Sequence, residues 1–230
     1  MKKSVELSYG RKGLLINVPD STQVVVPKHV DGVSNESDAI EAALAHPIAS
    51  PPLAILAKDK QHVVVTHSDI TRATPNDRIL PILLRTIEEA GVARDDITLI
   101  NALGTHRPQS KQELEKMLGT DIVTRYRCEQ HDAWDDSALV AAGTTVNGNP
   151  IRLNRKVLEA DLVIFTGFIE PHFFAGFSGG PKGALPALAG SESVLTNHGY
   201  SMIADPRATW GKTDGNPIWE EMLEAALLID

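Results

Sequence analysis

The chain has 230 residues, 42% of them hydrophobic, which is enough for one large or two modest domains with an apolar core. The chain contains 22 Lys and Arg and 30 Asp and Glu, and the resulting net charge of −8 disfavours a non-specific nucleic-acid binder. Cys128 is the only cysteine, which excludes an intrachain disulfide and a Cys-rich zinc or iron–sulfur site, and the absence of any run of about 18 apolar residues predicts a cytoplasmic protein with no membrane contact.

The first 46 residues predict a hairpin followed by a short helix. Residues 4–18 alternate and then run apolar around a turn at residues 9–13, which is typical of two paired strands. A helix is predicted from Asp38 to His46, with Ser37 or Asp38 as its N-cap. A short connector, with a proline at each end, is predicted at residues 47–52.

From residue 61 onward, strands alternate with helices, and this order predicts an α/β fold with a mostly parallel sheet flanked by helices. Its ligand would lie beyond the carboxyl ends of the strands. A helix at 217–228 runs up to the last residues without a stop signal, so we expect residues 1–230 to be one domain of a longer protein. The predicted strands are 62–66, 97–103 and 160–166, and the predicted helices are 76–90 and 110–118, with a further helix after Pro186.

The loop after the first of these strands carries Asp69, Thr71 and Arg72. A helix N-terminus, hydroxyl groups and an arginine fork suit anion recognition. An equally weighted reading is a helix cap with an Asp69–Arg72 pair, because short motifs have a real false-positive rate.

The loop after the second strand carries His106, between Gly104-Thr105 and Arg107-Pro108. Imidazole changes charge near neutral pH and therefore suits proton transfer. A histidine in a loop is often simply solvated. Because His106 lies at the carboxyl end of a strand, a functional role and a solvated side chain are about equally supported.

The third loop, Gly167 to Pro186, combines glycines with a histidine and a lysine. Gly179 and Gly180 allow the backbone to approach a ligand and turn amide groups toward a phosphate. His172 precedes them, and Lys182 lies among them near three phenylalanines, where an amine loses solvation and becomes more reactive. Neither a Walker A loop nor a Rossmann glycine fingerprint is present.

His198 follows about one helix length later. One histidine is a weak metal signal, but a metal held mainly by a cofactor needs only one protein ligand. The other histidines are interpreted as surface or structural residues, and Cys128 as a small buried one.

Five motifs, in the same order, resemble the N-terminal domain of the nickel-dependent lactate racemase family. The resemblance covers nearly the whole chain, but nothing in it corresponds to the family's C-terminal domain. The motifs are Asp69-Ile70-Thr71-Arg72, Gly104-Thr105-His106, Glu170-Pro171-His172, Phe177-Ser178-Gly179-Gly180-Pro181-Lys182 and Asn197-His198.

The resemblance implies a nickel pincer nucleotide, tethered through a thioamide to Lys182, with His198 as the protein ligand to nickel. It also implies His106 and His172 as the acid–base pair. Asp69 and Thr71 are expected to contact the cofactor, together with Gly179 and Gly180, and Arg72 to bind the substrate carboxylate. The expected partners are a small 2-hydroxy acid and the enzymes that synthesise the cofactor.

The predicted function is therefore racemisation or epimerisation of a 2-hydroxy acid by proton-coupled hydride transfer. Two alternatives stay open. One is a metal-dependent hydrolase or lyase in which His106, His172 and His198 bind the metal directly. The other is a non-catalytic domain that binds a phosphate-bearing ligand through Arg72 and the glycine loop.

Overall fold

The computed structural model describes residues 2–10, 12–26 and 28–229 and divides the chain into two units, the first of which ends at Ser34. In this first unit, β1 (Lys2–Leu7) pairs antiparallel with β2 (Leu14–Pro19), and Val5 lies opposite Ile16. The predicted hairpin is thus confirmed. Arg11, in its predicted turn, lies outside the described residues.

The second unit begins at Asn35 and carries the remaining elements. Of the described helices, none is both long and apolar enough to cross a membrane. The strands are β3 (Val63–Ser68), β4 (Ile97–Ala102), β5 (Arg127–Gln130), β6 (Leu139–Thr144), β7 (Pro150–Asn154), β8 (Leu162–Phe165), β9 (Pro171–His172) and β10 (Gly176–Phe177). The helices are α1 (Glu36–Ala45), α2 (Leu53–Ala57), α3 (Asn76–Glu89), α4 (Lys111–Leu118), α5 (Thr120–Arg125), α6 (Arg155–Leu158), α7 (Ser191–Asn197), α8 (Tyr200–Ile203) and α9 (Pro217–Ala226).

Four parallel strands form the central sheet, in the order β5-β4-β3-β8. Successive side chains of a strand point to opposite faces. Val63 and Val65 accordingly join the core beneath α3 and α4, whereas Val64 joins a separate cluster with Ile100 and Leu188. Both faces of the sheet are covered, which explains the unbroken apolar runs in the sequence and confirms the α/β class.

Helix α3 forms as predicted because its apolar residues recur along one side. Leu80, Leu83, Leu84 and Ile87 are all buried, at the spacing of one helix face. The prediction for the cap of α1 was wrong. Asn35 caps it, because its side-chain oxygen accepts from the backbone N–H of Asp38, two or three residues earlier than expected.

No element was predicted between residues 119 and 159, where the structure has α5, β5, α6 and an antiparallel hairpin of β6 and β7. These elements are short, and their exposed residues interrupt any clear period. The hairpin contributes Ile151 and Leu153 to a second core, which α9 completes with Ile218 and Met222.

The order of the strands places a crevice beside β3. The chain proceeds outward from β3 to β4 and β5, and then returns to add β8 on the other side of β3. The loops that follow β3 and β8 therefore lead away from each other and leave a crevice between them. Open parallel sheets bind their ligands in such a crevice.

Candidate active site

A cavity of about 290 Å³ lies in this crevice, lined by the loops that follow β3, β4 and β8 and by the end of α7. Two of the residues predicted to contact the cofactor, Thr71 and Gly180, are not among its lining residues. The structure brings the other predicted residues together around this one cavity: Asp69, Arg72, His106, His172, Gly179, Lys182 and His198.

Asp69 lies against His106 and fixes its ring. The carboxylate is buried, and its Oδ2 is 2.6 Å from Nδ1 of His106, while its Oδ1 accepts from the backbone and hydroxyl of Thr71. Since a carboxylate only accepts, Nδ1 of His106 carries a proton and Nε2 is left to exchange one. The hydrogen bond that His106 donates to Asp69, opposed in part by burial, raises the pKa of His106 above 6.5. Burial alone would raise the pKa of Asp69, but the hydrogen bonds from His106 and Thr71 hold it below its usual value.

Replacing Asp69 with asparagine is expected to lower the pKa of His106, because the negative charge and the acceptor for Nδ1 are both lost. The pKa is measured by NMR titration of the histidine ring signals. Asp161→Asn is the matched control, because Asp161 lies 3.6 Å from the ring of a different histidine, His62, and its loss should leave His106 unchanged. An unchanged His106 pKa in Asp69→Asn would contradict the role given to Asp69.

Arg72 does not pair with Asp69, so the structural alternative considered for this loop was wrong. Its Nη1 instead lies 2.9 Å from Oε1 of Glu170, in the loop after β8. A guanidinium has five N–H donors, so this pair leaves donors that can still bind a carboxylate. The ion pair ties the loops on either side of the crevice to each other.

The loop that carries His172 and Lys182 is held in a compact shape by its own backbone. Strands β9 and β10 pair antiparallel with His172 opposite Gly176, and the hydroxyl of Ser178 donates to the carbonyl of Phe168 at 2.7 Å. Gly176 has a φ of 76°, and a Cβ there would overlap the carbonyl oxygen of Lys212. Glycine at this position is therefore a steric requirement of the loop.

Lys182 lies against His198. The Nζ of Lys182 is 3.3 Å from Nε2 of His198, and burial, with a smaller contribution from the charge of Arg72, lowers the pKa of the lysine to about 8. Burial and the charge of Lys182 lower the pKa of His198 to about 3, so its ring is neutral. The pair presents a reactive amine beside an imidazole lone pair.

The pKa of His172 is shifted in the opposite direction from that of His106. Burial, followed by the positive charges of Lys182 and Arg72, lowers the pKa of His172 to about 4. Its Nδ1 accepts from the backbone N–H of Ala175 at 3.4 Å, a long hydrogen bond that constrains the ring weakly. The ring of Phe174 lies edge-on between His172 and His198, with centroids 4.7 and 5.0 Å away.

The donors at this site fit a metal ion that brings most of its own ligands. Among the described residues, no group of three or more His, Cys, Asp or Glu side chains is arranged to hold a metal. His106, His172 and His198 are therefore not grouped in this structure as a three-ligand metal site. One neutral imidazole beside a lysine amine matches the two protein attachments that a tethered metal cofactor needs.

Sequence reasoning named Glu170 only within a motif and Phe174 only as part of an apolar wall near Lys182, and it missed Glu221. Glu221 was detectable in principle, since it occupies the i+3 position of the apolar stripe that begins at Ile218. Two histidines interpreted as structural are indeed buried: His67 and His131 contact the backbone carbonyls of Ser68 and Ala189.

The family model described as the lactate racemase N-terminal domain matches residues 9–211 of this chain. The lactate racemase of Thermoanaerobacterium thermosaccharolyticum is 34% identical over 227 residues, which cover 97% of this chain and 53% of that protein. The lactate racemase of Lactiplantibacillus plantarum is 40% identical over 193 residues, covering 84% of this chain and 45% of that protein. This chain thus spans about half the length of both relatives.

Solved structures agree with the sequence relatives. The lactate racemase apoprotein from T. thermosaccharolyticum superimposes with a TM-score of 0.86 at 34% identity, over 99% of this chain and 54% of that one. A protein from Thermotoga maritima superimposes with a TM-score of 0.71 at 27% identity, over 87% of this chain and 49% of that one.

Proposed function

Because this chain belongs to the lactate racemase N-terminal domain family, we propose that it forms the cofactor-bearing part of an isomerase that inverts the hydroxyl-bearing carbon of a 2-hydroxy acid. One observation carries the proposal above the others. Two histidines whose pKa values are shifted in opposite directions, His106 upward and His172 downward, line the same cavity as a lysine of lowered pKa.

Inversion needs one base and one acid at the same time. The hydroxyl proton leaves toward one histidine, the bond to the Cα hydrogen breaks and re-forms on the other face, and a proton returns to the oxygen. The pKa of His106 is raised, so its ring holds a proton to higher pH than a free imidazole, whereas the pKa of His172 is lowered to about 4. The two pKa values are thus shifted in the opposite directions that an acid and a base require.

The cofactor proposed for this site is the nickel pincer nucleotide, with Lys182 as its covalent tether and His198 as the protein ligand to nickel. When bound, it supplies the acceptor for the hydride from Cα. The support lies in the neutral His198 ring 3.3 Å from the Lys182 amine. Gly179, with a φ of 74°, and Gly180, with a φ of 53°, are proposed to give the nucleotide phosphate access to backbone amides. Enzymes of cofactor synthesis are the expected partners.

Arg72 is the proposed anchor for the substrate carboxylate. Its guanidinium lines the cavity and is held by Glu170 at 2.9 Å through Nη1. A carboxylate suits the planar fork of an arginine. For Asp69 and Thr71, the contacts support a different role from the cofactor contact expected from sequence, namely orientation of the His106 ring.

The test is to incubate the protein in its natural full-length form, matured with the cofactor-synthesis enzymes, with a panel of 2-hydroxy acids in deuterated solvent. Chirality and deuterium content are followed together. Inversion with the original Cα hydrogen retained is the expected result, because the hydride returns internally. Metal-dependent hydrolysis without a nucleotide would support the hydrolase alternative. Nucleotide binding that survives loss of both His106 and His172, without inversion, would support the binding domain.

A further inference from the structure

Glu221, on α9, is a buried carboxylate without a cationic partner among the described residues. It is 1% exposed, and three neutral groups donate to it. These are the hydroxyl of Thr145 at 3.0 Å, the amide of Asn149 at 3.0 Å and the amide of Asn197 at 2.8 Å. Hydrogen bonds to a buried side chain are directional, so Glu221 orients the side chains that donate to it.

The contacts of Asn197 fix which way its amide points. Its Nδ2 donates both to the carboxylate of Glu221 and to the backbone carbonyl of Ile218, at 3.3 Å. A backbone carbonyl can only accept, so the amide nitrogen must lie on this side. The amide oxygen of Asn197 then faces Nδ1 of His198, 2.8 Å away.

This orientation decides where the proton of His198 lies. An amide oxygen cannot donate, so Nδ1 of His198 must carry the hydrogen. A neutral imidazole has one N–H, and Nε2 therefore keeps its lone pair. Nε2 is the atom that faces Nζ of Lys182.

We propose that Glu221 is a positioning residue that acts through Asn197 to lock His198 in the tautomer with its lone pair at Nε2. The lone pair is thereby available beside Lys182 before any cofactor arrives. The tautomer itself is a property of the cofactor-free chain. Only its use, as the ligand to a metal, rests on the function proposed above.

The tautomer is read directly from the ring nitrogen shifts of ¹⁵N-labelled histidine, in long-range correlation spectra of the cofactor-free protein. The His198 signals are identified by their absence in His198→Gln. Wild-type protein is expected to show a protonated Nδ1 and an unprotonated Nε2. A protonated Nε2 in the wild type would overturn the proposal without any further variant.

Three substitutions separate positioning from general stability. Glu221→Leu removes the shorter of the two hydrogen bonds that hold the Asn197 amide and leaves only the 3.3 Å bond to the carbonyl of Ile218, so it should raise the population of the other His198 tautomer. Glu221→Gln should keep the wild-type tautomer, because its amide oxygen accepts from Asn197 and its NH₂ can donate to the hydroxyl of Thr145. Thr145→Val removes a different donor from the same carboxylate, and should lower Tm while leaving His198 unchanged.

A folded Glu221→Leu protein with wild-type His198 shifts would contradict the proposal. In the cofactor-loaded protein, Glu221→Leu should also weaken nickel retention during dialysis against a chelator by about 10- to 100-fold, and Glu221→Gln should not. If no 2-hydroxy acid is inverted, the proposed function fails while the tautomer result stands. The two outcomes are thus distinguishable.

Discussion

Lys182→Met is expected to abolish both the covalent cofactor and the inversion of 2-hydroxy acids. Methionine keeps an apolar stem in the cavity but has no amine, so no thioamide link can form. Because the pKa of Lys182 is lowered to about 8, roughly a tenth of the amine is unprotonated at neutral pH, against less than about a thousandth for an ordinary lysine. Intact-protein mass spectrometry after maturation should show the adduct in wild type and none in the variant.

The matched control for this substitution is Lys212→Met. Lys212 is an exposed lysine outside the cavity lining, and its replacement should leave adduct mass and activity at wild-type levels. Peptide mapping should place the adduct on Lys182. An active enzyme with an unmodified Lys182 would refute the tether and with it the proposed cofactor.

His106→Gln and His172→Gln are each expected to lower kcat for inversion by about 10²- to 10⁴-fold, the usual contribution of a positioned acid or base. Glutamine can hydrogen-bond but cannot exchange a proton at neutral pH. If each histidine serves one enantiomer, as proposed, each variant should still convert one enantiomer to the 2-keto acid. Rapid quenching after a single turnover, with chiral separation of the remaining substrate, tests this.

The two variants should oxidise opposite enantiomers. A general loss of stability would lower the oxidation of both enantiomers and could not produce this difference. His62→Gln is the control, because His62 precedes β3, at the end of the strand away from the cavity, and makes no contribution to the cavity lining. If both variants oxidise the same enantiomer, or if either inverts its substrate at the wild-type rate, the two-histidine assignment fails.

Local patterns in the sequence predicted much of the fold around the site. The β-branched run His62–Thr66 predicted β3. The spacing of Leu80, Leu83 and Ile87 predicted α3, because a helix buried on one face has apolar residues at regular intervals in its sequence. The hairpin of β6 and β7 was not predicted. Its strands are short and partly exposed, and their core residues pack against residues far along the chain, including Leu185, Ala189 and the helices α7 and α9.

The sequence also predicted which side chains would meet, mostly through motifs that follow strands, although Thr71 and Gly180 lie outside the cavity lining. His106, His172, Lys182 and His198 all line the cavity as expected. Which residue each of them contacts was not predictable. Arg72 pairs with Glu170 across 98 positions of sequence and Asp69 with His106 across 37, and the expected Asp69–Arg72 pair is not formed.

By itself, the sequence determined the strand and helix pattern, the family, and the set of side chains that meet at the carboxyl ends of the strands. Tertiary structure alone decided their charge states and orientations. The pKa of His106 is raised because its ring donates to a buried carboxylate. The pKa of His172 is lowered because its ring is partly buried near two cations. A pKa and a tautomer depend on burial and on neighbours brought together by folding, and neither leaves a local pattern in the chain.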